Sequence, residues 1–222
     1  MIAPFGEAAL LVETGTPERG QALAARLRAE PVAGVEALVP GLSTVLVELD
    51  SLGADTAAIR THLAEHLERL TETAPAGRRR TIPVVYGGEA GPDLASVAEL
   101  CGLSEAEVID LHSAAELRVL FDGFAPGFAY LGNLPDELRV PRLDTPRTRT
   151  PVGSVGIAGP LSGIYPAALP GGWRIVGRTP IALFDPRRDP PAYLVPGDVV
   201  RFEPIAAGEW EARAGAPDDW AA

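Results

Sequence analysis

Arginine side chains in a stretch rich in glycine and proline are the residues of this sequence best suited to binding an anion. A guanidinium group holds a carboxylate or a phosphate through two parallel hydrogen bonds. Arg147 and Arg178 are each flanked by proline or glycine turns that fix their positions, so we predict that both act in catalysis by binding such a group. The alternative for arginines in this stretch is a solvated side chain. The others are Arg142, Arg149 and Arg174.

Other polar and aromatic residues of the same region are candidates to complete a site. His112 is the only histidine after residue 66, and an imidazole carries a proton near neutral pH, so it is a candidate catalytic proton carrier. Tyr165 can donate a hydrogen bond. Gly171 and Gly172 precede Trp173, whose large ring is suited to covering a site or an interface. We predict that these last four residues bind substrate, with packing as the alternative for the two aromatic rings.

A histidine pair in the first part of the chain matches a metal motif. Residues 62–66 read HLAEH, which fits the H-x-x-E-H pattern and places two imidazoles one helical turn apart. Zinc catalysis also needs a third ligand and an open coordination position. Both His62 and His66 lie beside the apolar stripe of an amphipathic helix, where they can pack instead. We therefore predict no metal site.

A glycine-rich turn at Gly87, Gly88 and Gly91 precedes a predicted helix. Such a turn at a helix N-terminus can hold a phosphate. The spacing is not G-x-G-x-x-G, however, and the carboxylate of Asp93 would repel an anion. The sequence therefore favours a tight turn followed by an acidic helix cap over a phosphate site.

The charged residues and the single cysteine exclude several classes of function. The 222 residues carry a formal net charge of −11, which argues against nucleic acid and anionic membranes as partners. All 19 basic residues are arginine, so Schiff-base chemistry and a P-loop lysine are excluded. If the protein helps to use a nucleotide, the phosphates must be held by arginine, backbone N–H groups, a metal or a partner protein. One cysteine excludes an internal disulfide.

The distribution of apolar residues predicts a cytoplasmic protein. No apolar run approaches the ~20 residues that span a bilayer. The opening sequence MIAPFGEAALLVE carries acidic residues where a signal peptide would be basic.

The elements that position these residues divide into two predicted domains of α+β class. Residues 1–80 are predicted to form an α+β domain of the ferredoxin-like type, because the elements follow the order βαββαβ. Strands are expected at 8–13, 35–39, 43–49 and 81–86, and helices at the N-cap Thr16 and at 55–70. The polar stretch at 71–80 is predicted to be a linker.

Residues 81–222 predict a different architecture. A short helix to about residue 100 is followed by a second, which starts at a capping box of Ser104 and Glu107. Short apolar runs separated by glycine and proline turns then predict a closed or rolled antiparallel sheet. These runs lie at 117–121, 154–157, 173–176, 181–184 and 199–202. The last dozen residues are predicted to be a frayed tail, in which Trp220 could still dock.

Six sequence segments carry a resemblance to a known family. They are VVYGGEAGPDL at 84–94, GFAPGFAYLGNLP at 123–135, PRTRTPVGSVGIAG at 146–159, SGIYP at 162–166, PGGWRIVGRTP at 170–180 and PGDVVRFEPI at 196–205. In order and spacing they resemble the family of the 5-oxoprolinase component PxpB, also described as KipI or as the first component of allophanate hydrolase. Such a set is more specific than any single glycine motif.

The resemblance implies a ferredoxin-like first domain and a cyclophilin-like β-barrel second domain. It also implies a component of an ATP-dependent complex that opens 5-oxo-L-proline to L-glutamate. The implied partners are a PxpC- or KipA-like protein and a PxpA-like protein. The implied cofactor is ATP, shared with or held by a partner.

Two alternative functions stay open from the sequence. One is a KipI-like protein that inhibits a sensor histidine kinase. The other is a protein that resembles the carboxyltransferase part of urea carboxylase and needs a biotinylated partner. The sequence also departs from the family: Leu161 and Ser162 stand where glutamine and threonine are usual, and Pro151-Val152-Gly153 replaces Pro-Ala-Gly. These departures leave the exact substrate open.

Overall fold

A computed structural model describes residues 1–70 and 77–220 of the chain. The chain divides into two compact units, Met1–Ala76 and Gly77–Ala222. The assignment of domains 1–80 and 81–222 to the predicted types stays a prediction, and part of the predicted linker lies outside the described residues. Within those residues, no helix has the length and apolar character needed to cross a membrane.

The first unit is one antiparallel sheet with two helices. The elements are β1 (Ile2–Pro4), β2 (Ala9–Glu13), α1 (Pro17–Ala29), β3 (Val35–Pro40), β4 (Thr44–Leu49) and α2 (Thr56–Glu68). The strand order is β1-β2-β4-β3, with every neighbouring pair antiparallel. Alternate residues of the strands and one stripe of each helix form a single core, which includes Leu23, Val45, Val47 and Leu63.

The helix starts in this unit are confirmed by their caps. The Thr16 hydroxyl accepts a hydrogen bond from the Arg19 amide at 3.3 Å, and Pro17 occupies the first helical position, where it loses no intrahelical hydrogen bond. Asp55 caps α2 by accepting from the Ala58 amide at 3.0 Å.

The predicted βαββαβ order is wrong at its last strand. Residues 79–86 do form a strand, β5 (Arg79–Tyr86), but it belongs to the barrel of the second unit. The edge position beside β2 is taken instead by β1, which the sequence analysis did not predict. The alternation of apolar residues identifies a strand, but it does not identify the sheet that the strand joins.

The second unit is built on a closed seven-stranded barrel of order β10-β7-β6-β13-β5-β12-β9. After β5, its elements are α3 (Leu94–Cys101), α4 (Glu105–Ala114), β6 (Leu117–Asp122), β7 (Ala129–Gly132), β8 (Arg147–Thr150), β9 (Ser154–Ala158), β10 (Leu161–Ile164), β11 (Leu169–Gly171), β12 (Arg174–Arg178), β13 (Val199–Pro204) and α5 (Trp210–Arg213). Strands β8 and β11 form a separate two-stranded sheet.

Closure of the sheet confirms the predicted barrel, with three corrections. Strand β13 pairs with β5 in parallel, so the barrel is not wholly antiparallel. Residues 181–184 form only isolated bridges, at Ile181 and Phe184. The frayed tail is also wrong: Trp220 is 1% exposed, and its indole N–H donates to the Pro190 carbonyl at 2.8 Å. A large ring with a satisfied polar group contributes to the core even at the end of a chain.

Candidate functional site

A cavity of about 500 Å³ opens on the barrel unit. It lies where β5 ends and its following turn faces the end of β12, because Arg178 pairs with Val85 across these two strands. The residues that line it include Tyr86, Gly87, Gly88, Glu89, Ala90, Arg178, Ala207 and Trp210. The volume falls within the range of small-molecule sites.

Arg178 supplies the positive charge of this cavity. Its Nε donates to the Val152 carbonyl at 2.6 Å, and its guanidinium lies over the Trp210 ring, 5.1 Å from the ring centroid. Within the described residues, it has no carboxylate partner, and its two terminal nitrogens make no hydrogen bond. The side chain is therefore held in place while its charge stays available.

The turn after β5 adds backbone donors to the same cavity. Gly87 and Gly88 have φ of +67° and +53°, a conformation that glycine adopts without strain. The Gly91 amide closes the turn on the Gly87 carbonyl at 2.8 Å. The amides of Gly88, Glu89 and Ala90 donate to no acceptor in the described part of the chain. Free amides beside a guanidinium are the donors that an oxyanion needs.

Gly91 is required because the turn packs directly on β12. Any Cβ at this position would overlap the Val176 carbonyl. The same approach lets the Gly87 amide donate to that carbonyl at 3.0 Å. The glycine-rich segment therefore fixes the turn against the strand that carries Arg178.

Arg147, the other predicted anion-binding residue, is already paired. Its Nη2 donates to Asp93 Oδ1 at 2.7 Å, and the second carboxylate oxygen accepts from the Ile175 amide at 2.7 Å. The Asp93 side chain makes no helix cap, which corrects the predicted acidic cap. The pair ties the start of α3 to β8 and β12, and Arg147 has no spare charge for a ligand.

The predicted substrate-binding residues lie in packed surroundings. Tyr165 and Trp173 are 1% and 5% exposed, and Phe128 meets both rings edge to face. A Cβ on Gly171 would overlap the Tyr165 hydroxyl, and Gly172 lies against Pro146. This is the packing alternative, and it corrects the expectation that these residues contact substrate.

His112 is fully buried inside the barrel. One ring nitrogen, Nδ1, lies 2.8 Å from the Tyr86 hydroxyl, and Nε2 lies 3.0 Å from the Ser162 hydroxyl. Because Ser162 gives its proton to the Gly156 carbonyl, it accepts from Nε2–H, and Tyr86 then donates to Nδ1. Burial lowers the pKa of His112 to about 3. A proton carrier near neutral pH is therefore wrong; the neutral ring instead positions Tyr86 at the cavity wall.

We expect this histidine to make the fold sensitive to acid. The imidazole titrates near 6.5 in an unfolded chain and at about 3 here, so its contribution is complete above 6.5 and is lost as the pH falls toward 3. At pH 5 the loss is about 2 kcal/mol in the free energy of unfolding. Denaturant titrations at pH 7.5 and 5.0 measure it as the difference in pH dependence between wild type and His112→Gln. Identical pH dependence would contradict the assignment.

That comparison removes the effect of Asp122, which sequence reasoning missed. Burial and the nearby Asp198 raise the pKa of Asp122 to about 7, so this carboxyl stabilises the fold as the pH falls, the opposite sign. Asp122 is common to both proteins in the titration. Its Oδ1 is buried without a hydrogen bond in the described chain.

The histidine pair of α2 is not arranged to bind a metal. The Nε2 atoms of His62 and His66 are 2.7 Å apart, and Arg26 Nε donates to His66 Nδ1 at 2.8 Å. Since Nδ1 accepts, the proton of the neutral ring is on Nε2, which leaves no lone pair there for a metal. No group of three ligating side chains occurs in residues 1–70 and 77–220.

Two cavity residues were also missed by sequence reasoning. Glu89 lies inside the segment VVYGGEAGPDL, where its neighbours drew attention as a turn. Trp210 follows the last recognised segment and lies 32 positions after Arg178 in the sequence. No short-range pattern could have placed it there.

The barrel with its arginine-lined cavity is of the carboxyltransferase class, as comparison with known proteins establishes. Residues 1–194 match the family described as "Carboxyltransferase domain, subdomain C and D". The chain is 47% identical to the 5-oxoprolinase component PxpB of Escherichia coli O157:H7, over 92% of this chain and 95% of that protein. The chain thus belongs to this carboxyltransferase-domain family, and the resemblance to PxpB is confirmed.

Solved structures agree with this assignment. TTHA0988 is 35% identical with a TM-score of 0.77, over 93% of this chain and 41% of that one. The chain therefore spans less than half of TTHA0988. Urea carboxylase of Kluyveromyces lactis has a TM-score of 0.77 at 22% identity, over 95% of this chain and 22% of that one, a likeness of fold alone.

Proposed function

We propose that this protein is one component of an ATP-dependent 5-oxoprolinase, which opens 5-oxo-L-proline to L-glutamate with PxpC- or KipA-like and PxpA-like partners in the cytoplasm. The observation that carries the proposal is an unpaired, fixed arginine in a cavity with free backbone donors. The name of the Escherichia coli relative supports it. In this proposal the two units are ferredoxin-like and cyclophilin-like.

The reaction explains why such a component needs partners. A lactam is a poor electrophile, and ATP would activate it by phosphorylating the lactam oxygen, so that water attacks the ring carbon. Developing negative charge is stabilised by positioned arginines and backbone amides. Arg178 and the turn at 87–90 supply such donors, but the cavity holds no paired nucleophile and base. This chain would contribute one part of a composite site.

Reconstitution with the partner proteins tests the proposal. We expect no turnover by this chain alone, and ATP hydrolysis by the assembled complex only when 5-oxo-L-proline is present. L-Glutamate should form in step with ADP, and omission of this chain should abolish both. An assembled complex that consumes ATP without forming glutamate would contradict the proposal.

A carboxyltransferase role is the second candidate, because the matching family is a carboxyltransferase domain and the fold resembles that of urea carboxylase. It requires transfer of carboxylate from a biotinylated partner to an amide. Bicarbonate-dependent ATP use that is blocked by avidin would favour it over hydrolysis. The kinase-inhibitor alternative stays a prediction, tested by direct binding of this chain to the kinase.

A further inference from the structure

We propose that this cavity binds a small acid with one carboxylate and one N–H donor, and that it discriminates against polyphosphates. Arg178 and the amides of Gly88–Ala90 hold the carboxylate, and Glu89 accepts from the N–H group. The lactam acid 5-oxo-L-proline has both groups. The inference rests on the proposed function for the choice of this ligand, and it assigns the ligand to this chain and ATP to a partner protein.

The position of Arg178 favours a carboxylate. Val152 holds Nε from one side, and the Trp210 ring covers one face of the guanidinium. The edge formed by the two terminal nitrogens has no partner in the described chain. A planar carboxylate can meet that edge with two parallel hydrogen bonds. The site is ordered before the ligand arrives, which lowers the entropy cost of binding.

Glu89 sets the charge that the cavity accepts. Its exposed carboxylate lies on the same wall as Arg178, and among the described residues it has no ion pair or hydrogen bond. One positive and one negative side chain balance a ligand that carries a single negative charge and an N–H donor. A nucleotide would bring several negative charges next to Glu89, in a chain whose net charge is −11. Like charges at short range oppose such binding.

Trp210 provides a direct signal for occupancy. The chain has three tryptophans, and the other two, Trp173 and Trp220, are 5% and 1% exposed. Trp210 alone lines the cavity and contacts the Arg178 guanidinium. A ligand on Arg178 changes the surroundings of this indole and therefore its fluorescence.

Fluorescence titration of the full chain tests the inference. We expect saturable binding of 5-oxo-L-proline and binding at least about tenfold weaker of cyclopentanecarboxylate, which lacks the N–H group. Mg-ATP and inorganic phosphate are the polyanion probes, and both should bind more weakly than 5-oxo-L-proline. Equilibrium dialysis with Trp210→Phe separates loss of signal from loss of binding.

Three variants assign the roles of the two charges. Arg178→Gln should weaken 5-oxo-L-proline binding at least about tenfold. Glu89→Gln should narrow the preference for 5-oxo-L-proline over phosphate, because it removes the repulsion and the charged acceptor together. Arg187→Gln is the control, since Arg187 is an exposed residue paired with Asp185 outside the cavity. Far-ultraviolet circular dichroism establishes that each variant is folded.

The outcomes separate this inference from the proposed function. Tighter binding of Mg-ATP than of 5-oxo-L-proline, or a preference unaffected by Glu89→Gln, would overturn the inference. So would a complex that turns over 5-oxo-L-proline while this chain binds none of the probes, and that result leaves the proposed function intact. Binding as expected, in a chain whose assembled complex makes no glutamate, supports the cavity assignment and rejects the hydrolase.

Discussion

Replacing Arg178 by glutamine is expected to lower kcat/KM of the assembled complex for 5-oxo-L-proline about 10- to 100-fold, the range for a lost hydrogen bond to a charged group. The side chain has no ion-pair partner in the described residues, so its removal leaves no buried carboxylate behind. The thermal midpoint of the chain should therefore change little. Steady-state assays across substrate concentrations measure the loss and divide it between KM and kcat.

The variant Arg178→Lys and the control Arg187→Gln sharpen this result. Lysine keeps the charge but loses the planar fork, so we expect only partial recovery of kcat/KM. The control should match wild type. Wild-type kcat/KM in a folded, assembled Arg178→Gln complex would place the anion elsewhere and remove the main support for this cavity.

Breaking the Arg147–Asp93 pair is expected to have the largest effect on stability. Asp93→Ala leaves the guanidinium and the Ile175 amide without their acceptor, and the pair is mostly buried, with exposed side-chain fractions of 29% and 11%. We expect a loss of about 2–4 kcal/mol in the free energy of unfolding. Chemical denaturation of the full chain measures it.

An exposed ion pair of the same chemistry is the matched control. Arg139 and Asp136 are 53% and 80% exposed, so Asp136→Ala should cost less than about 1 kcal/mol. If Asp93→Ala left stability unchanged but abolished turnover in the assembled complex, Arg147 would belong to the catalytic site after all. A stability loss with kcat/KM retained at low temperature supports the structural role.

Local signals in the sequence predicted local structure well. Thr16 with Pro17, and Ser104 with Glu107, mark helix starts because their side chains satisfy amides within the same turn. The short apolar runs likewise predicted a closed sheet. Parallel pairing of β13 with β5 was beyond reach, since a strand's own residues do not specify the direction of a neighbour more than 100 positions away.

The site was harder to predict because its residues are defined by distant partners. Arg147 and Arg178 look alike in sequence, each between turns, and what separates them is Asp93, 54 positions before Arg147. The Asp93 carboxylate neutralises one arginine and leaves the other available. In the same way, Gly171 looks like a flexible hinge, but its role is to make room for the Tyr165 hydroxyl.

A crystal structure of the assembled complex with bound 5-oxo-L-proline is the most direct test of the claim that this chain holds the substrate carboxylate. We predict carboxylate oxygens within about 3.2 Å of both terminal nitrogens of Arg178. The Arg147–Asp93 pair should remain intact. Substrate bound elsewhere in the complex, with this cavity free of ligand, would contradict the claim.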